Sequence, residues 1–215
     1  MSEFDAKSYW NKIAEKEKAI TPGEQWTSEL IDSVVAELTG WIPDEVLSKS
    51  KLMDIGCGEG RLMTKLAPMV RWYDGVDISP RVLSVATRIA SEKQLKNVTF
   101  TELSDERFLL PSWDDAFDVV ISWTVFMHLP REIFLYYLKC IHMYLKSKGY
   151  FAFQLNGPTY HIHDLEHRFD HVANDKRFDA RWYPEWIVGD YLEKTGFEIV
   201  GISNKSEEAW KARKR

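Results

Sequence analysis

The chain has 215 residues, 45% hydrophobic and 28% charged, a balance that suits one buried core and excludes a disordered or collagen-like polymer. Its formal net charge of −5 argues against a broad nucleic-acid-binding surface, although Lys211, Arg213, Lys214 and Arg215 are locally basic. The two cysteines, Cys57 and Cys140, cannot build a disulfide framework, and the nine tryptophans are an excess that composition assigns neither to a core nor to a site.

No basic-then-apolar segment opens the chain, and the stretch Val119–Pro130, free of Asp, Glu, Lys and Arg, is well short of the roughly 18–20 residues of a membrane span. A cytoplasmic protein without membrane association is the expectation. A single domain is expected over 1–215, with a helical cap over 1–45, a core over 51–155, an insertion over 156–190 and C-terminal strands over 191–215.

In chain order, Ile31, Val34, Val35 and Leu38 recur at helical spacing and stop at Thr39-Gly40. From Lys51 short apolar runs alternate with amphipathic segments. Strands are predicted at Leu52–Ile55, Tyr73–Ile78, Val98–Thr101, Phe117–Ser122 and Tyr150–Leu155. Helices are predicted at Arg61–Val70, Pro80–Gln94 and Arg131–Lys146, the last stopped by Lys148-Gly149. A helix over Pro184–Thr195 and a strand over Phe197–Ile202 follow. This alternation reads as βαβ units and an α/β, doubly wound, mostly parallel sheet.

The sharpest signal is Asp54-Ile-Gly-Cys-Gly-Glu-Gly-Arg61, directly after the first strand. Glycines at alternate positions let the backbone turn tightly and come close to a ligand, and the helix that follows would favour a negative group. The spacing is neither G-x-G-x-x-G nor a P-loop. Asp77 ends the second strand, 17 residues after Gly60. A carboxylate there either accepts both hydroxyls of a ribose or caps the helix that begins near Pro80. Ser104-Asp105-Glu106 either receives an adenine amino group or is solvated loop charge.

These segments, with Leu110-Pro111, Phe117-Asp-Val-Val120, His128-Leu-Pro130 and Leu145-Lys-Ser-Lys-Gly149, make the chain resemble the class I S-adenosylmethionine-dependent methyltransferases. The resemblance covers about Lys51 to Gln154. It implies a Rossmann-like, seven-stranded sheet with one antiparallel edge strand, Trp210 to Lys214 being the last strand. It also implies S-adenosylmethionine as methyl donor and S-adenosylhomocysteine as product. Gly56, Gly58 and Gly60, with Cys57 and Arg61 in the same loop, would cradle the methionine part, and Asp54 would support that loop. Asp77 would hold the ribose, while Asp105 or Glu106, with Ile78 and Leu103, would frame the adenine. Ser122 and Trp123 would sit beside the sulfonium. Lys146-Ser-Lys-Gly149 departs from the family's usual Pro-Gly-Gly.

The methyl acceptor is less legible. His128 stands where the family commonly has His, as base, acceptor-binding group or structural support. Asn156 follows the fifth strand and is expected to point toward the cleft. If 161–171 is helical, His163, His167 and His171 form one stripe: a solvated face, a lid with one His as base, or a metal site with Asp170. No metal is assigned. Tyr9, Trp10 and Trp26 either close over the cofactor, as the family's N-terminal helix does, or pack in the cap.

Trp41, Trp72, Trp113 and Trp210 are expected to pack in the sheet domain. Trp10, Trp26, Trp123, Trp182 and Trp186 are expected to enclose cofactor and acceptor, where aromatic faces attract a sulfonium. The acceptor expected is an oxygen or nitrogen of a small molecule. The alternatives are the terminal amine of a protein or peptide, faintly suggested by Tyr9-Trp10, Trp123, His128 and Asn156, and an inactive cofactor-binding partner subunit. Nucleic-acid bases are disfavoured, because Ser122-Trp-Thr-Val replaces any Asn/Asp-Pro-Pro-Tyr/Phe run.

Overall fold

The computed structural model describes residues 7, 8, 11, 27–103, 113–155, 183–203 and 208–215. Residues 7, 8 and 11 are helical. Helix α1 (Ser28–Thr39) is capped by Thr27, whose hydroxyl accepts the Leu30 amide, and ends at Gly40. It buries Val34, Val35 and Leu38, the stripe that its spacing predicts. A short α2 (Asp44–Leu47) leads into β1 (Lys51–Ile55). Then come α3 (Met63–Leu66), β2 (Trp72–Asp77), α4 (Pro80–Glu92) and β3 (Val98–Glu102). They are followed by β4 (Phe117–Ser122), α5 (Arg131–Tyr144), β5 (Leu145–Leu155), α6 (Glu185–Lys194), β6 (Phe197–Ser203) and β7 (Glu208–Lys214).

One seven-stranded sheet runs in the order β3-β2-β1-β4-β5-β7-β6. The pairs from β3 to β5 are parallel, and β7 is antiparallel to both β5 and β6. Strands buried on both faces need apolar residues facing both ways. On one face Leu52, Tyr73, Val119, Ile121 and Ala152 share a core cluster with Val34, Val35 and Leu38 of α1 and Leu66 of α3. On the other, Met53, Val76, Val120, Phe151 and Phe153 share one with Phe134, Leu138 and Ile141 of α5 and Val188 and Leu192 of α6. Truncating a fully buried ring such as Phe134 would cost roughly 3–5 kcal/mol.

The antiparallel strand is not the edge strand that the resemblance implies. β7 lies between β5 and β6, because the β6–β7 hairpin folds its second strand inward against β5, pairing Tyr150 with Arg213 through Leu155 with Glu208. The helix expected from Arg61 begins at Met63, after turn residues, and passes into a 3-10 turn at Ala67–Met69, which contains Pro68. The helix expected to reach Lys146 ends at Tyr144. The Tyr144 carbonyl accepts the Ala116 amide and Leu145 already pairs with Phe117, so β5 begins there. Lys148-Gly149 is therefore an irregularity within β5, with Lys148 at φ 61°, and not a helix stop.

Candidate active site at the carboxyl ends of β1, β2 and β4

The sheet reverses its winding between β1 and β4, where α/β folds bind their ligands. As β1 ends, the Gly56 and Cys57 amides both donate to the Val76 carbonyl of β2, at 2.8 and 3.1 Å. Gly56 has φ 72°, and a Cβ there would lie 2.2 Å from Val125 Cγ2, so only hydrogen fits. Gly58, at φ 53°, is the opposite case: a Cβ would meet nothing within 4 Å. The loop thus packs at Gly56 and presents open backbone at Gly58. The Gly60 amide closes the turn on the Cys57 carbonyl. The helix after the loop has only four residues, too short for the dipole that the sequence suggested.

The Asp77 carboxylate ties the glycine loop to the start of α4. Oδ1 accepts the Ser79 amide at 2.9 Å, at the start of α4, while Oδ2 accepts the Gly58 amide at 3.0 Å. Burial raises its pKa, opposed by the amide bonds from Ser79, Gly58 and Ile78. A carboxylate offers about four acceptor sites, so these three amides leave capacity for a ligand hydroxyl. Half-buried Ile78 follows, and the Leu103 amide donates to the Asp77 carbonyl, fixing the end of β3 beside it.

Asp54 is buried beneath the loop, where the Tyr73 hydroxyl donates to its Oδ2 at 2.6 Å. Burial drives its pKa up to about 7, against the Tyr73 hydrogen bond and with a smaller contribution from the Asp77 charge. A Cβ on Gly75, the residue paired with Asp54, would lie 2.8 Å from Cys57 Sγ. Burial and the neighbouring carboxylates push the Cys57 thiol well above its ordinary value, so it packs as a neutral group. Arg61 is half-buried, which lowers its pKa.

On the β4 side the Ser122 hydroxyl donates to the Ile55 carbonyl at 3.1 Å, tying β4 to β1. Trp123 is buried and belongs to the apolar cluster of α1 and α3, so it is a packed wall and not an open aromatic platform. Thr124 has φ 59°, a conformation that costs a β-branched residue about 1–3 kcal/mol. Its amide donates to Oε1 of buried Gln154 at 2.9 Å and its hydroxyl to the Trp123 carbonyl at 2.7 Å. Val125 then reaches Gly56, and a 3-10 turn carries Phe126 to half-buried His128. The Tyr183 hydroxyl, where the described chain resumes before α6, donates to the Leu129 carbonyl at 2.7 Å.

Two contacts bring the N-terminal helical residues over the same edge: the Ser79 hydroxyl with Asn11 Oδ1 at 2.7 Å, and Lys7 with Glu102. The structure thus brings Asp54, Gly56, Cys57, Gly58, Gly60, Arg61, Asp77, Ile78, Ser122 and Trp123 to one end of the sheet, with His128 after the β4 turn. Trp10, Trp26, Asp105, Glu106, Asn156 and His163 lie outside the described residues, as do Tyr9, His167, His171 and Trp182. Trp186 is 74% exposed on α6. Trp41, Trp113 and Trp210 make ring contacts, and Trp72 donates to Thr99 Oγ1. Tyr73, Thr124 and Gln154 were not singled out from sequence. The only cue was Gln154, a lone amide in the apolar run Phe151-Ala-Phe-Gln-Leu155.

A family model described as a methyltransferase domain matches residues 47–188. The chain is 34% identical over 76 residues to an uncharacterized methyltransferase of Bacillus subtilis strain 168, covering 35% of this chain and 29% of that protein. It is 32% identical over 80 residues to a ubiquinone biosynthesis O-methyltransferase of Albidiferax ferrireducens, covering 37% and 31%. The chain thus spans about a third of the length of these two curated relatives. Magnesium protoporphyrin IX methyltransferase of Synechocystis PCC 6803, solved with bound S-adenosylmethionine, shares the fold at a TM-score of 0.71 and 21% identity over 100% of both chains. With the matched domain reaching from before β1 into α6, the chain belongs to the methyltransferase-domain family and carries the class I, S-adenosylmethionine-dependent fold.

Proposed function

We propose that this protein transfers the methyl group of S-adenosylmethionine to an oxygen or nitrogen of a small-molecule acceptor. The observation that carries the donor half is the pairing of open Gly58 with Asp77, whose carboxylate both shapes the loop and keeps acceptor capacity for a ribose hydroxyl. S-adenosylmethionine supplies an electrophilic methyl carbon, so the protein's task is alignment of the nucleophile at roughly 3–3.5 Å. In this reading the Gly56–Gly60 backbone holds the methionine part, and Ser122 and Trp123 form the wall beside the sulfonium. His128 holds or deprotonates the acceptor, with Asn156 and His163 as further acceptor-side groups.

The small-molecule reading is supported by the relative named for ubiquinone biosynthesis and by the structural neighbour named for magnesium protoporphyrin IX. Among the described residues no helix is long and apolar enough to cross a membrane. A cytoplasmic setting is part of the proposal. The test is incubation with methyl-labelled cofactor and a size-fractionated cell extract. Label in the small-molecule fraction is expected. Label in protein would move the acceptor to a peptide amine, and cofactor binding without transfer to any fraction would make the chain a binding subunit. His128→Ala is expected to lower turnover more than cofactor affinity, and unchanged turnover would remove its role as a base.

A further inference from the structure

Gln154 lies on β5 between Phe153 and Leu155, paired through the backbone with Ala209 of β7, and it is 1% exposed. A carboxamide in such a place is costly unless its polar atoms are used. Its Oε1 takes the amide of Thr124, two residues past the end of β4. Thr124 is β-branched and sits at φ 59°, a conformation that local preference opposes. The neighbours on either side have separate duties. Trp123 turns into the apolar cluster, whereas Val125 fills the space that a Gly56 side chain would need. Three residues after Val125 the same turn delivers His128, whose amide donates to the Val125 carbonyl at 2.9 Å.

We propose that Gln154 is a positioning residue of the transfer site: its carboxamide holds Thr124 in the left-handed turn that seats Val125 against Gly56 and sets His128 in register with the donor loop. This rests on the donor reading of that loop given above. Gln154 acts on the site through this turn. Gly58 of the β1 loop and Thr124 of the β4 turn are 66 positions apart in sequence, yet the walls of loop and turn touch, so one wrong φ would be felt at both.

The test is a double-variant cycle read by calorimetry with S-adenosylhomocysteine as probe and by amide exchange of Thr124 in the cofactor-free protein. Gln154→Met keeps the side chain's length and removes the acceptor. It is expected to weaken binding about tenfold or more and to deprotect the Thr124 amide. Adding Thr124→Gly, which adopts the left-handed conformation without the β-branch penalty, is expected to restore affinity to within about threefold of wild type. A role for Gln154 in packing alone predicts no such restoration.

Unchanged affinity in Gln154→Met, or no rescue by the added glycine, overturns the proposal. Should Gln154→Met fail to fold, the double variant decides: folding and binding support the turn-holding role, and failure overturns it. If the wild-type protein binds no S-adenosylhomocysteine, the donor reading falls. Thr124 exchange then still judges Gln154: deprotection in Gln154→Met supports its hold on the turn, and an unchanged rate removes it.

Discussion

The two ends of the sheet hold their polar groups in different ways. Where the parallel strands begin, ion pairs recur: Lys51 with Asp74 at 3.0 Å, Lys146 with Asp118 at 2.8 Å and Lys214 with Asp115 at 3.0 Å, with Asp118 also accepting the Lys51 amide. Where they finish, buried or half-buried side chains each take backbone groups: Asp77 the amides of Gly58 and Ser79, Ser122 the Ile55 carbonyl, Gln154 the Thr124 amide. Partly exposed ion pairs contribute about 0–1 kcal/mol each and tolerate adjustment. A side chain spent on one backbone group fixes a dihedral. One end fastens the strands; the other fixes the turns around the candidate site.

The strongest way to break this comparison is at the glycine loop. Gly56→Ala places a methyl 2.2 Å from Val125 Cγ2 at φ 72°, and is expected to cost roughly 2–4 kcal/mol of stability and abolish S-adenosylhomocysteine binding. Gly58→Ala meets no neighbour, so it should cost only about 1 kcal/mol in thermal melts yet weaken calorimetric binding tenfold or more. Equal losses of stability in the two variants would erase the distinction between packed and open glycine.

Next is Asp54, whose pKa is raised from 3.8 to about 7. A carboxyl raised in the folded state contributes stability that is fully present below pH 3.8 and is lost as pH rises through about 7. At 1.36 kcal/mol per unit the gap bounds the effect at ~4 kcal/mol. Asp54→Asn still accepts from Tyr73 and is expected to gain roughly 2 kcal/mol on wild type between pH 5 and pH 8 by denaturant unfolding. No pH-dependent difference would show that Asp54 is not protonated in the folded protein.

At the opposite end, Asp118→Ala removes the partner of the Lys51 amide and of Lys146 Nζ. A loss of about 1–2 kcal/mol with S-adenosylhomocysteine affinity within about twofold of wild type is expected. A larger fall in affinity would mean that the two ends are coupled. The smallest effect belongs to His142, whose pKa is lowered by burial and by Lys214, with Asp115 and Gly196 opposing. A histidine depressed in the folded state releases its proton on folding, so stability falls as pH drops through 6.5. His142→Gln should flatten the melting temperature between pH 7 and pH 5.5, and an unchanged slope would assign the acid sensitivity elsewhere.

Much of the donor side was legible because its signals are local. The strand Phe117–Ser122 is found with the boundaries that its apolar run suggests, and the glycine loop and Asp77 meet as their spacing implies. The β4 turn was not legible. The strain at Thr124 is relieved by Gln154, 30 residues away, and no local pattern announces a left-handed threonine. Tyr73 was hidden for the same reason: its hydroxyl finds Asp54 only once β1 and β2 pair. The start of β5 was misread because Lys148-Gly149 carries a helix-stop signature that strand pairing overrides.

The inward seat of β7 also sets an order of assembly. During synthesis β5, with Phe151 and Phe153 buried in the finished fold, is made before the strand that pairs with its outer edge. Until residues 208–214 leave the ribosome that edge offers unpaired amides and carbonyls to any neighbouring chain, and β6 has no strand through which to join the sheet. A nascent chain stalled before Glu208 therefore exposes an aggregation-prone edge although its donor loop is already complete.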